Sequence, residues 1–341
     1  SLSPQALEAA IQGRPDARVL VVTSPSYEGV MSDLPALTRL AQKKGIRVIV
    51  DEAHGAHLGL HPPFPKGALA AGADVVIQSL HKTLPSLTQT ALIHVKDADL
   101  AREVQRQLSV FETTSPSYLL LASIEGCVRL IEEQGEALFA AWGEALEAFH
   151  QLALKLRHLR VAGYGQQRGH LPQNAWGLDP GKLYISTLTA DLTGPQLASR
   201  LRGRWRIEPE LAAPQGVLAM TGLGDTAKTL TRLGEALVAI DRDLGPAPQK
   251  KAALSLPRAK QALPLHQAER ASVRPLALSE AAGEICGEQL SVYPPGVPVL
   301  VPGEVVSAEA IRFIQAAEAS GSSLLHSRSP KAGQVAVVAD A

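Results

Sequence analysis

The sequence predicts an α/β protein whose first part holds a mostly parallel sheet. Short apolar, β-branched runs at 19–23, 46–50 and 74–77 read as buried parallel strands, and amphipathic stretches lie between them. Two polar segments, Asp51-Glu52-Ala53-His54-Gly55-Ala56-His57 and Ser79-Leu80-His81-Lys82-Thr83, follow directly on two of those runs. Helix–strand alternation of this kind implies right-handed crossovers.

In chain order, a short helix starts near residue 3 and leads to a strand at Val19–Thr23. A helix over Leu34–Lys44 closes on Gly45 as its C-terminal cap, and Ile46–Val50 follows as a strand. Strands at Asp74–Ile77 and Thr90–Val95 complete this part; the last is reached without a helix, which allows it to run antiparallel. Between about 99 and 157 the pattern is helical, with Leu138, Trp142, Ala145, Phe149, Leu152 and Leu156 at three- and four-residue spacing, so a long helix is expected to join two lobes. Residues 1–157 are thus read as part of a large domain.

Residues 158–245 read as a smaller α/β domain: strands at Lys182–Leu188 and Val217–Met220, a helix from Pro195, and an amphipathic helix through Leu230, Leu233, Leu237 and Ile240. Residues 246–275, rich in Pro, Ala, Lys and Arg without a clean period, read as a linker or surface strap. Residues 276–341 form a further small unit with the rigid run Tyr293-Pro294-Pro295-Gly296-Val297-Pro298 and a helix carrying Val306, Ala310, Phe313 and Ala317. No internal repeat is found.

Lys+Arg and Asp+Glu both total 33, so no global field favours nucleic acid or an anionic membrane. The two cysteines, Cys127 and Cys286, form no CxxC pair, which suggests neither a disulfide framework nor a zinc site and fits a reducing cytoplasm. No apolar run approaches the ~20 residues that span a bilayer. The opening Ser1-Leu2-Ser3-Pro4 lacks an initiator methionine, and a segment upstream is expected.

Open α/β sheets bind ligands outside the carboxyl ends of their strands. A lysine there can form an imine with an aldehyde cofactor, and a carboxylate on the neighbouring strand can keep a cofactor ring nitrogen protonated. Lys82 and Asp51 are the candidates, and pyridoxal phosphate is the cofactor they suit. The ordinary explanation of Asp51 is helix capping, and of Lys82 a surface lysine. Ser79 and His81 beside Lys82 suit phosphate, and His54 is placed to stack on the cofactor or bond its phenolic oxygen. His54, His57 and His61 with Asp51 could instead be metal ligands, but no remote Cys/His set completes a site. The letters DEAH are shared with a helicase box, yet no GxxxxGK[ST] loop occurs. The hydroxyl cluster Thr113–Ser117 precedes a helix, where it suits either capping or an anion.

Taken together, the stretches VVTSPSYEGVMSDL, VDEAHGAHLGLH, DVVIQSLHKTLPSLTQTALIHV, TTSPSYLLLASIE, LDPGKLYIST and VYPPGVPVLVPGE resemble one family closely. It is the bacterial ornithine/lysine/arginine decarboxylases of the aminotransferase-like fold type I. The stretches run from residue 21 to 304 in one consistent order, which makes the series far more specific than any member. The resemblance implies that Lys82 carries pyridoxal phosphate, Asp51 pairs with its pyridinium nitrogen, and His54 lies beside the ring. Ser79 and His81 match phosphate-contacting positions. Thr114 and Ser115 match a segment that reaches the phosphate of a neighbouring subunit, so at least a homodimer is implied. Glu210 aligns with an acidic position near the substrate's distal amine, with a solvated strand-edge glutamate as the equally plain alternative. Tyr293 and Glu304 receive no role beyond rigid packing. The implied reaction is loss of carbon dioxide from arginine, lysine or ornithine, giving the amine of polyamine-related metabolism.

Fold type I enzymes also carry earlier strands and a phosphate-cradling turn, which the eighteen residues before Val19 cannot supply. The chain therefore resembles the second half of the catalytic domain together with the domains after it. Phosphate hydrogen bonds contribute ~1.5–3 kcal/mol each, so three missing ones cost ~5–9 kcal/mol, and weak or absent activity is expected of the chain alone. Val19–Val22 is expected to form an unpaired apolar sheet edge. Rival readings are an aminotransferase or lyase of the same fold, disfavoured by the VYPPGVPVLVPGE unit, and a silent partner of a full-length homologue, disfavoured by the retained Lys82 and Asp51.

Overall fold

The structure is a computed structural model that describes residues 1–162, 175–247, 256–293, 296–319, 321–328 and 331–339. The chain divides into two compact units, Ser1–Ile185 with Leu218–Asp243, and Ser186–Val217 with Leu244–Ala341.

The first unit opens with α1 (Pro4–Gly13), whose Ser3 hydroxyl accepts from the Ala6 N–H as an N-cap. Then come β1 (Val19–Thr23), the two-residue β2 (Val30–Met31), α2 (Leu34–Gln42) and β3 (Arg47–Asp51). Gly45 takes φ +71°, the left-handed conformation expected of a residue that closes a helix. Next are β4 (Val75–Ser79), the one-turn α3 (Leu80–Thr83) and β5 (Ala91–Val95). The sheet order is β1-β3-β4-β5. β1, β3 and β4 run parallel, and β5 pairs antiparallel with β4, the course that its helix-free connection allows.

Register and parity assign each strand residue to a face. Thr23 pairs with Asp51 and Asp51 with Ile77, while Val22 pairs with Val50 and Val50 with Val76. Val22, Val48, Val50 and Val76 lie in one core cluster with Leu34 and Ala41 of α2. Asp51 and Ser79, at odd positions, share the opposite face with Ile49 and Ile77. β1 is the sheet edge, and Val19 and Val21 on that opposite face are 50% and 66% exposed, as the apolar-edge reading expects.

The expected long helix is two: α4 (Ala98–Phe111) and the 36-residue α5 (Tyr118–Ala153). They part where Ser117 leaves the helical conformation and its hydroxyl takes the Leu120 N–H, a cap that starts a new helix. β6 (Arg160–Val161), β7 (Gly177–Leu178) and β8 (Lys182–Ser186) follow, β7 pairing antiparallel with β2. α6 (Gly194–Arg200) passes into a π-helical turn at Leu201–Trp205, and β9 (Leu211–Ala213) and β10 (Gly216–Met220) complete the order β6-β8-β10-β9. α7 (Ala227–Arg242) packs on α5, and a Cβ at Gly234 would lie 2.6 Å from Leu152.

In the second unit, α8 (Leu265–Ala268) precedes β11 (Val273–Ala277), β12 (Leu290–Tyr293) and β13 (Val297–Leu300), then α9 (Ala308–Ala319), β14 (Ser323–His326) and β15 (Gln334–Val338). β12 pairs antiparallel with β13 and β14, and β11 with β15. Leu290, Leu300, Val306, Ala310, Ile314 and Val337 centre its core. Part of the linker reading, 248–255, and Pro294-Pro295 of the rigid run lie outside the described residues.

Candidate active site

β3 and β4 end side by side. The Glu52 N–H donates to Ile77 O at 2.8 Å, so the chain leaves the sheet at Asp51 on one strand just as α3 begins beyond Ser79 on the next. The Asp51 carboxylate accepts from the Ala53 N–H at 3.0 Å, forming a side-chain turn and not the helix cap that was its ordinary rival. α3 is one turn long and carries Lys82 back towards β3. Lys82 Nζ lies 3.1 Å from His54 Nε2. The two segments read from the sequence therefore meet.

His54 is 9% exposed and meets Tyr27 edge to face, ring centroids 4.8 Å apart. Its Nδ1 lies 2.9 Å from Nζ of a second lysine, Lys182. Burial first, then Lys182 and Lys82, push its pKa down to about 3, against a smaller opposing pull from Asp179. The imidazole is thus neutral across the ordinary pH range.

Ser79 sits at the N-cap of α3 without a capping hydrogen bond. His81 Nδ1 meets Thr90 O at 3.0 Å; a carbonyl only accepts, so Nδ1 carries the proton there. Amine, imidazole, carboxylate and uncommitted hydroxyl form a donor set that suits pyridoxal phosphate: Lys82 for the aldehyde carbon, Asp51 for the ring nitrogen, Ser79 for the phosphate.

The other predicted residues are placed as follows. Thr114 and Ser115 are exposed between α4 and α5, the Ser115 N–H donating to Thr113 Oγ1 at 3.2 Å. Glu210 is exposed and belongs to the other unit. Tyr293 is half exposed, and the Glu304 carboxylate accepts from the Val301 N–H at 2.9 Å. His57 turns away from His54: its Nε2 lies 3.0 Å from Asp179 Oδ1, both side chains fully buried, with Phe64 and Trp142 against the ring. His61 bonds Pro62 O, so the three histidines do not converge as the metal reading required.

Three residues escaped the sequence reading. Glu52, fully buried, accepts from the Ala68 N–H at 2.7 Å and from Gln78 Nε2 at 2.7 Å, while Gln78 Oε1 meets His94 Nε2 at 3.0 Å. Burial drives its carboxyl up to about 7 against those two hydrogen bonds. Strand parity held the signal: Val48, Val50 and Glu52 share the core face. Tyr27 and Lys182 lie in stretches that carry the resemblance, SPSYEG and LDPGKLYIST, with no spacing to single them out.

A family model of the Orn/Lys/Arg decarboxylase major domain matches residues 1–228, and a model of that family's C-terminal domain matches 249–324. The chain belongs to the Orn/Lys/Arg decarboxylase family. The arginine decarboxylase of Bacillus subtilis is 33% identical over 314 residues, covering 91% of this chain and 64% of that protein. The lysine decarboxylase of Hafnia alvei is 24% identical over 86% of this chain and 51% of its own length. The chain thus spans just under two thirds of the first of these relatives. Its fold matches the solved constitutive lysine decarboxylase of E. coli with a TM-score of 0.74, at 19% identity, over 98% of this chain and 60% of that one. The ureidoglycine–glyoxylate aminotransferase of Bacillus subtilis matches at 0.55, 14% identity, over 73% of this chain and 67% of its own. The aminotransferase-like fold type I expected from the sequence is the fold of this family member.

Proposed function

We propose that this chain carries the lysine side of a pyridoxal phosphate-dependent decarboxylase acting on arginine, lysine or ornithine, in cytoplasmic polyamine-related metabolism and as at least a homodimer. The observation that carries the reading is Lys82 Nζ held 3.1 Å from a buried, neutral His54, with Asp51 at the adjoining strand end. Arginine is the first substrate to test, because the 33% identical relative is an arginine decarboxylase.

Bound pyridoxal phosphate would draw electrons from the substrate's α-carbon once carbon dioxide leaves. Lys82 holds the cofactor between turnovers and then moves a proton at its Nζ. Asp51 would keep a proton on the ring nitrogen, and Ser79 and His81 would hold the phosphate. His54, neutral and fixed by Tyr27, supports the ring. Thr114 and Ser115, exposed at the α4–α5 junction, serve the phosphate of a second subunit, and Glu210 is the acidic candidate that the family resemblance offers for the substrate's distal cation. The intended division of labour is large domain to 157, small domain 158–245, linker 246–275 and C-terminal domain 276–341.

The test adds pyridoxal phosphate to the purified chain, alone and with the part of the Bacillus subtilis relative that lies outside the match. A visible absorbance band that borohydride bleaches, with the label on Lys82, is the expected result, followed by carbon dioxide from arginine. A folded protein that shows no band under either condition overturns the reading. In Lys82→Ala the band should vanish.

A further inference from the structure

His57 and Asp179 form a pair that stability alone does not explain. His57 Nε2 lies 3.0 Å from Asp179 Oδ1, and both side chains are fully buried. Yet among the described residues nothing bonds the second polar atom of either group, His57 Nδ1 or Asp179 Oδ2. A buried polar atom without a partner costs about as much as one hydrogen bond returns, so two of them cancel the bond that joins the pair. Two apolar side chains against Phe64 and Trp142 would serve the core at least as well.

What the pair joins is two segments of the candidate site. His57 stands three residues after His54, and Asp179 three residues before Lys182. The segments touch at both ends of that matched interval, His57 on Asp179 and His54 Nδ1 at 2.9 Å from Lys182 Nζ. Between the two contacts each segment is a closed turn. On one side the Gly55 N–H donates to Glu52 O at 2.8 Å and the Leu58 N–H to Gly55 O at 2.9 Å; on the other the Lys182 N–H donates to Asp179 O at 3.1 Å. Asp179 Oδ1 also accepts from the Gly181 N–H at 2.8 Å, so the oxygen that holds His57 shapes the turn that aims Lys182. The Asp179 N–H donates to Gly29 O at 2.8 Å, and a Cβ on Gly29, at φ +91°, would lie 2.5 Å from Lys182 Cβ. The turn is thus set against the β1–β2 connection, which carries Tyr27 to the edge of the His54 ring.

We infer that Asp179 and His57 are positioning residues for His54: their contact fixes the turn from Asp179 to Lys182 against the His54 loop, and so sets the orientation in which the imidazole meets the cofactor ring. Lys182 grips the ring at Nδ1 and leaves the Nε2 side towards Lys82. This deepens the reading of His54 as the residue beside the cofactor and rests on it for its purpose.

The test treats the full chain, without added cofactor, with diethyl pyrocarbonate at pH 7 and follows the acylation of each histidine by peptide mass spectrometry. In wild type, His54, held at both ring nitrogens, should react at least tenfold more slowly than the exposed His266 of α8. In Asp179→Leu, in His57→Leu and in the double variant, His54 should speed up about tenfold, the effect of one hydrogen bond, and the two changes should not add because either breaks the same contact. Half-buried His94 on β5, in the same unit, should keep its wild-type rate, which a general loosening of the unit would raise as well. Asp179→Asn keeps an oxygen for the Gly181 N–H and a partner for His57, and should restore the slow rate. A wild-type His54 that reacts as fast as His266 overturns the inference whether or not the variants fold. So do folded variants that leave His54 slow, or that speed His54 and His94 alike. The readout precedes cofactor binding, so failure to bind pyridoxal phosphate would sink the functional reading separately.

Discussion

The two faces of the β1-β3-β4-β5 sheet are made by alternate residues of the same strands, yet they do different work. One face closes over Val22, Val48, Val50 and Val76 and ends in the Glu52–Gln78–His94 chain of hydrogen bonds. The other carries Asp51 and Ser79 at the strand ends and leaves Val21 two-thirds exposed. A one-residue step along β3, from Asp51 to Glu52, moves a carboxylate from a candidate cofactor contact to a structural brace. Parity, more than residue type, decides which of the two acids turns into the core.

The strongest way to break this comparison is to put a charge on each face. Val50→Asp, at a fully buried position, should cost more than ~3 kcal/mol and leave the protein unfolded by circular dichroism. Next, Gly55→Ala should cost about 1–3 kcal/mol in urea unfolding, because a Cβ there meets Glu52, Leu58 and Pro25 at 2.8 Å each.

Two pH slopes of opposite sign sharpen it further. With Glu52 raised from 4.5 to about 7, the folded state keeps a proton that the unfolded chain releases; stability from this group is present below about 4.5 and lost as pH rises through 7. Glu52→Gln should therefore gain on wild type by roughly 1–3 kcal/mol at pH 8 and by little at pH 4.5, read from urea midpoints. With His54 lowered from 6.5 to about 3, the unfolded chain binds the proton first, so stability is lost as pH falls from 6.5 towards 3. His54→Gln should flatten that acid limb. The smallest effect is Val21→Lys, which should stay within about 0.5 kcal/mol of wild type.

Much of this was legible. Apolar runs located β1, β3 and β4 to within one or two residues, and the missing helix before β5 anticipated its antiparallel course. The meeting of the two polar segments, through Lys82 and His54, was legible because each follows directly on one of two neighbouring parallel strands. The break between α4 and α5 was legible only in part: periodicity on both sides suggests one long helix, while the hydroxyl cluster Thr113–Ser117 marks the start of the second, which Ser117 caps. Lys182 was beyond reach for a different reason. It meets His54 across 128 residues of chain, through a left-handed glycine and the short β2–β7 pairing, neither of which leaves a periodic trace.

α5 has one further consequence. At ~1.5 Å per residue its 36 residues extend about 54 Å. Phe139, Trp142, Leu146 and Phe149 embed its later half, whereas Tyr118 and Leu119 at its start face solvent. Such a helix is a cantilever, clamped at one end. Amide hydrogen exchange should grade along it, fast in the exposed first turn and slow beyond Phe139.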